Sequence, residues 1–507
     1  MAEHIIRTGK DGELENLTAA DIDEMVRAAV EKGRIVVYFH GGLVPEAAGT
    51  TTAKRLGAEF TDVGAYPVFF VWRSGWLEII RNNLFEIAKE DLFERLLRRV
   101  VSWAVGKARA PEGGRGTALP TEGEVRDQLA QRRRIEAPET GEEPFADEST
   151  AHTAELSKAD EEAFVRDIQI DTELNKALAG AFAARDKPMN QEGSRGVPDV
   201  PPKPTRMDDD VLDEIGEGVA DGGARGGLSI IALARKAFQV LNAVVARFRD
   251  GTDAGVYPTV VDELLRVFYV GDVGGALWNA MKKETEDTFK AGGDRGGRLF
   301  LDALAKHLPD DGSVKISLVG HSTGAVFIDN LLRDVARRRR ENETPLPETT
   351  KFQVVLLAPA ATTTHFAETL ALAEPMVERL RIFTMDDTSE RADRVAGAVY
   401  PRSLLYLVSG ALERDAKEKS ALVPLIGLSR YLSAKEDDDL KRVLASPLKK
   451  SALLQETRTY LIVKDRVVLS PTGDDALPGF RAKALSHGAF DNEKLVIESV
   501  TGMIKEW

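Results

Sequence analysis

The chain has 507 residues, a length for two to four average domains or for one large α/β domain carrying an insertion. Its 43% hydrophobic and 30% charged residues describe a soluble globular protein, and a formal net charge of −14 argues against a nucleic-acid partner. It contains no cysteine, which excludes disulfides, thiolate metal sites and cysteine nucleophiles.

The first seven residues, MAEHIIR, lack the long apolar core of a secretory signal. No stretch approaches the roughly 18–20 apolar residues of a membrane span, so a cytoplasmic placement is expected. Residues 18–32 read as a helix, with Thr18 and Asp21 as a capping box and Gly33 as its stop. Arg34–Phe39 follows as a β-branched and aromatic run of strand length. Such continuous apolar runs suit strands covered on both faces of a parallel sheet. Further runs are Pro67–Trp72, Val314–Val319, Phe352–Leu357, Leu380–Thr384 and Tyr460–Val463. Helical patterns separate most of them, which predicts an α/β fold with a mostly parallel sheet flanked by helices.

The spacing breaks once, between the strands at 67–72 and 314–319. A crossover helix at about 293–308 explains only the end of this gap. The remainder, 77–290, reads as a largely helical insertion, and the core as 1–76 and 291–507. Apolar helical spacing marks 77–108 and 228–249. Residues 109–150 and 186–227 are rich in Gly, Pro, Glu, Asp and Arg and read as flexible segments, with polar, helix-forming 151–185 between them.

Gly320-His321-Ser322-Thr323-Gly324 stands between a strand and a helical pattern at 325–336. In that context a sharp turn lifts Ser322 above the sheet end, and the flanking glycines let strand and helix pass closely. A serine hydroxyl needs a base, an acid that orients the base, and donors for an oxyanion. His40-Gly41-Gly42-Leu43 follows the strand at 34–39, so Gly41 and Gly42 are oxyanion-donor candidates, with the backbone N–H of Thr323 as a further donor. Of the seven histidines, His487 lies after the last strand and is the base candidate, with His365 its main rival. His321 adjoins the serine and is poorly placed to reach its Oγ. Asp386 and Asp387, at the end of the strand 380–384, are both acid candidates, with Asp387 slightly favoured and Glu413 a remote alternative. His40, Leu43, His321 and Trp72 are candidates to line the pocket.

The order Ser, Asp, His with an upstream His-Gly-Gly turn resembles the α/β-hydrolase superfamily, and the G-H-S-x-G elbow resembles its lipase and esterase branches. The resemblance covers roughly 30–76 and 291–507. It implies Ser322 as nucleophile, His487 as base, Asp387 or Asp386 as acid, and Gly41, Gly42 and Thr323 as oxyanion donors. The insertion departs from the common pattern, in which lids more often follow the strand after the elbow strand. The implied activity is hydrolysis of a small-molecule ester or acyl substrate. Amide, peptide or thioester cleavage on the same triad, or a binding scaffold that kept the fold, are the alternatives. The basic run Arg337–Arg340 reads as a structural face at a helix C-terminus, and Arg132–Arg134 as a charge run. No metal-, nucleotide- or dinucleotide-binding motif is present, so no cofactor is expected.

Overall fold

The structure, a computed structural model, describes residues 4–42, 46–72, 76–108, 122–131, 145, 155–185, 205–217, 225–414, 422–432, 452–463 and 466–507. Seven strands form one sheet: β1 (Ile5–Thr8), β2 (Arg34–Phe39), β3 (Tyr66–Trp72), β4 (Lys315–His321), β5 (Phe352–Leu357), β6 (Val377–Met385) and β7 (Val467–Ser470). Their spatial order is β1-β3-β2-β4-β5-β6-β7, and every pairing is parallel. All C-terminal strand ends therefore share one edge, with β4 in the middle.

The continuous apolar runs have a simple cause. Successive side chains of a strand face opposite sides. In β2, Ile35, Val37 and Phe39 enter one core with Phe300 and Leu304 of the crossover helix Gly296–His307. Val36 and Tyr38 enter the other core with Leu56, Phe60, Val496 and Val500. Both faces are thus covered by helices.

The predicted helix at 18–32 forms at Ala19–Lys32, with the reciprocal Thr18–Asp21 capping box and Gly33 in the left-handed region at φ 76°. Two strand readings change. Tyr460–Val463 is the last turn of a helix, Ala452–Val463, and the final strand is β7. That helix buries Thr457 and Leu461, four residues apart, so a short apolar run there serves one helical face. β1 is the other difference: this short edge strand has no reading in the sequence.

The insertion is helical where it is described. Its helices include Trp76–Ile87, Asp91–Ala108, Lys158–Gln169, Thr172–Arg185, Arg225–Arg249, Val256–Phe268 and Gly275–Asp287. Much of 109–150 and 186–227 lies outside the described residues, as do Leu43 and Arg132–Arg134. Within 109–150, Glu122–Gln131 forms a helix, and within 186–227, Asp209–Glu217 does. Ser229–Arg249 is long and apolar enough to cross a membrane, contrary to the reading from sequence, but 56% of its apolar window is buried inside the molecule.

One feature of this region has no counterpart in the sequence reading. The insertion shares its apolar core with Ala396, Tyr400, Leu404–Val408 and Tyr431, which follow β6. A buried ionic cluster sits in the same seam. Arg247 pairs with Asp262 at 3.0 Å and Glu263 at 3.1 Å, and the Tyr400 hydroxyl donates to Asp262 at 2.6 Å. Burial pushes the Asp262 carboxyl up to about 6 despite Arg247 beside it. In the basic run, Arg338 is buried against Asp334 at 2.7 Å and Asp302 at 2.6 Å, so part of that face is internal.

The helix Gly324–Glu341 after β4, the elbow helix, passes very close to β2. A Cβ on Gly324 would lie 2.2 Å from the Phe39 carbonyl oxygen, and one on Gly320 would lie 2.7 Å from Gly324 itself. These obstacles are backbone and cannot rotate away. Gly324→Ala should therefore cost about 1–3 kcal/mol or more in a urea titration. An unchanged midpoint and slope would show that this contact is not as tight as described.

Candidate active site

The turn between β4 and the elbow helix holds Ser322 at φ 54°, in the left-handed region that L-residues seldom occupy. It is fixed from both sides. Ser322 N–H donates to the Leu357 carbonyl at 2.8 Å, and its own carbonyl accepts from Ala360 N–H at 3.0 Å. The side chain emerges at the N-terminus of the elbow helix, whose first N–H groups have no intrahelical acceptor.

Across the crevice, His487 opens a short 3₁₀ turn, His487–Ala489, in the loop after β7. Its Nε2 lies 2.9 Å from Ser322 Oγ. The structure thus brings together the serine and the histidine singled out from the sequence, although 165 positions separate them. Burial, and then the nearby His321, hold the His487 pKa well below its usual 6.5. The imidazole is therefore neutral at neutral pH and can accept a proton. His365, the rival, is not at this site. Its Nε2 stands 3.9 Å from Asp329 of the elbow helix, and burial lowers its pKa to about 4.

Neither predicted acid meets His487. Asp386 caps the short helix Asp387–Ala392, accepting Ser389 N–H at 2.7 Å. Asp387 accepts the Tyr406 hydroxyl at 2.5 Å and Arg391 Nε at 3.1 Å. Its burial would raise its pKa, but Arg430 and Arg391 outweigh this and lower it. Glu413 accepts from Trp278 and Lys282, each at 2.7 Å, and belongs to the insertion seam.

The carboxylate that does reach His487 is Asp393, at the end of that short helix. Its Oδ2 accepts the His487 backbone N–H at 2.8 Å. Burial raises its pKa, with the N–H bonds opposing. His487 Nδ1 is buried and has no hydrogen-bond partner among the described residues. Glu390, one turn before Asp393, is also fully buried, and burial drives its pKa well above 4.5. The sequence reading missed both. That Asp386 is the helix cap is visible only in the structure, since the sequence signal of a cap followed three residues later by Glu falls on Asp387 and Glu390.

The oxyanion candidates surround the serine. A Cβ on Gly41 would lie 3.2 Å from Ser322 Cβ, a tight contact that places this turn directly against the serine. Gly42 N–H donates to Thr323 Oγ1 at 2.8 Å, so that donor is engaged within the protein. Thr323 directly precedes the elbow helix and is fully buried.

Of the pocket candidates, His40 and Trp72 turn out to be packing residues. His40 Nδ1 donates to the Gly41 carbonyl at 2.7 Å, and its Nε2 accepts Trp72 N–H at 3.2 Å. The rings stack at 4.4 Å, tying the ends of β2 and β3. Burial lowers the His40 pKa to about 4, which fits a neutral ring using both nitrogens. His321 is turned toward the loop of the base, with Nε2 3.0 Å from the His487 carbonyl.

The insertion reaches this crevice. Met281, on helix Gly275–Asp287, packs on the Gly41–Gly42 turn so closely that a Cβ on Gly42 would lie 2.0 Å from its Sδ. Ser322 itself is only 2% exposed. Beside the elbow helix opens a polar cleft of about 450 Å³, lined by Asn279, Lys282, Val326, Asn330, Thr362 and His365 among others. No cluster of metal-ligating side chains occurs among the described residues. Comparison with protein-family models, with curated proteins and with solved structures finds no match to this chain.

Proposed function

We propose that the protein is a serine hydrolase of α/β-hydrolase type that cleaves carboxylic esters through a covalent acyl-enzyme. The observation that carries this reading is the 2.9 Å approach of His487 Nε2 to the hydroxyl of a serine held at φ 54° on a strand-to-helix turn. Strained backbone at a buried polar pair is costly, of order 1–3 kcal/mol, and is kept where it serves chemistry. The central position of β4 and the parallel order of the strands also favour the reading, since ligands of such sheets bind beyond the C-terminal strand ends.

With its proton on Nδ1, His487 accepts at Nε2 from Ser322 Oγ–H. As Oγ attacks the ester carbonyl, that proton passes to Nε2. The oxyanion develops beside Thr323 N–H and the Gly41–Gly42 turn. His487 then protonates the leaving alkoxide, and the ester C–O bond breaks. Water, deprotonated by the same imidazole, attacks the acyl carbon; the acyl C–Oγ bond then breaks as Nε2 returns that proton to Ser322 Oγ, releasing the acid. Asp393 is assigned as the acid: it is the carboxylate already bonded to the base's backbone, and Nδ1 awaits an acceptor. Gly42 N–H must leave Thr323 Oγ1 to serve the oxyanion, so the site as described is a resting arrangement. The insertion acts as a cap, because Met281 covers the turn that would bind the oxyanion.

A fluorophosphonate probe tests this directly. The full chain should label stoichiometrically, and Ser322→Ala should fold but not label. Labelling of equal strength on the variant would remove Ser322 as nucleophile, and absence of labelling on the native chain would leave a binding scaffold as the better reading.

A further inference from the structure

The residue before the nucleophile has a distinct task. His321 is buried, and its Nε2 lies 3.0 Å from the backbone carbonyl of His487. A carbonyl only accepts, so His321 carries a proton on Nε2 and donates it there. This nitrogen is then unavailable as a base. We infer that His321 is a positioning residue, which clamps the catalytic base through its main chain; the inference rests on the serine-hydrolase reading for its kinetic consequences but not for its geometry.

Three observations support the clamp. First, His487 sits in an irregular loop after β7, outside any strand ladder. Its backbone is gripped at both ends instead: Asp393 holds the N–H at 2.8 Å and His321 holds the carbonyl. Second, His321 and Ser322 are consecutive. The bond from His321 to the His487 carbonyl and the contact from His487 Nε2 to Ser322 Oγ close a small ring that includes the nucleophile's own peptide. The base therefore moves with the nucleophile rather than with the loop. Third, the His321 ring has little freedom. Its centroid lies 5.3 Å from that of His487, with the rings inclined at 30°. Its Nδ1 faces Asp491 Oδ2 at 3.8 Å, too far for a hydrogen bond. Asp491 is itself held by the Tyr38 hydroxyl at 3.1 Å. A displacement of about 1 Å between base and nucleophile can cost about 100-fold in rate, which sets the scale of what the clamp protects.

The test uses His321→Gln and His321→Leu in the full chain. Glutamine carries an amide donor near the position of Nε2, whereas leucine fills the space without one. Expected for leucine is a fall of about 10–100-fold in kcat and in phosphonate labelling rate, with KM nearly unchanged, and recovery of most of that loss by glutamine. The imidazole ¹⁵N signals of His487, read by NMR, should shift or broaden with leucine and return with glutamine. If leucine prevents folding, His321→Asn replaces it, because its shorter amide cannot reach the carbonyl. Unaltered kcat and unaltered His487 signals in the folded donor-deficient variant would overturn the clamp. So would equal losses in the glutamine and donor-deficient variants with His487 signals unmoved, since packing alone would then explain them. An unreactive native chain would instead defeat the hydrolase reading, and the NMR arm would still decide the clamp.

Discussion

His487→Ala is expected to lower kcat on a short-chain ester by at least about 1,000-fold while leaving a folded protein. The imidazole is the group within 2.9 Å of Ser322 Oγ, and the hydroxyl is a weak nucleophile without it. His365→Ala should be mild by comparison, because its ring faces Asp329. The pH profile carries the same signature. The base works only while neutral, and burial holds the His487 pKa well below 6.5. The acid limb of kcat/KM should therefore fall well below pH 6.5, with a plateau reaching neutral pH. A limb centred at pH 7 or above, or a near-native rate for His487→Ala, would point to another base.

The second large effect is expected at Asp393. Asp393→Asn keeps the side chain's shape but removes the charge that would fix the His487 tautomer and stabilise the imidazolium. In a serine triad the equivalent change costs about 10⁴-fold in kcat. Asp386→Asn and Asp387→Asn should stay within about tenfold in kcat, because these carboxylates cap a helix and bind Tyr406 and Arg391. Glu390→Gln is the discriminating control. Glu390 is buried one turn from Asp393, and burial keeps its pKa well above that of a free carboxyl. If Glu390→Gln is crippling and Asp393→Asn is not, the acid has been assigned to the wrong side chain.

The elbow was legible because its requirements are local. Glycines two positions either side of a serine, after an apolar strand and before a helix, specify a turn whatever surrounds it. The structure adds the reason both glycines are needed, in the backbone contacts at Gly320 and Gly324. His487 was legible from chain order and from the scarcity of histidine. The carboxylate that meets His487 was not, because four carboxylates crowd into eight residues from Asp386 to Asp393. Which of them turns inward depends on a short helix whose single turn carries Asp393 back toward the loop of the base. His40 and Trp72 sit at strand ends near the crevice, as expected, but neither sequence nor strand position reveals that their rings stack and that His40 spends its nitrogens on the backbone of Gly41 and Trp72. The contribution of Ala396, Tyr400, Leu404–Val408 and Tyr431 to the insertion's core was equally hidden, because apolar residues after β6 look the same whether they face the sheet or another layer.

The sheet order also dictates when this protein can fold during synthesis. β2 pairs with β4, its neighbour in space, only after roughly 280 further residues have been made. At about 5–20 residues per second, β2 waits some 15–60 s for that partner, with only β3 beside it. The insertion is translated within this interval, yet it too lacks part of its core until Tyr400 and Leu404–Val408 emerge. Neither layer can therefore be completed before the other is nearly synthesised. The nascent chain must hold two partly open apolar surfaces at once, and these are the surfaces a chaperone would meet first.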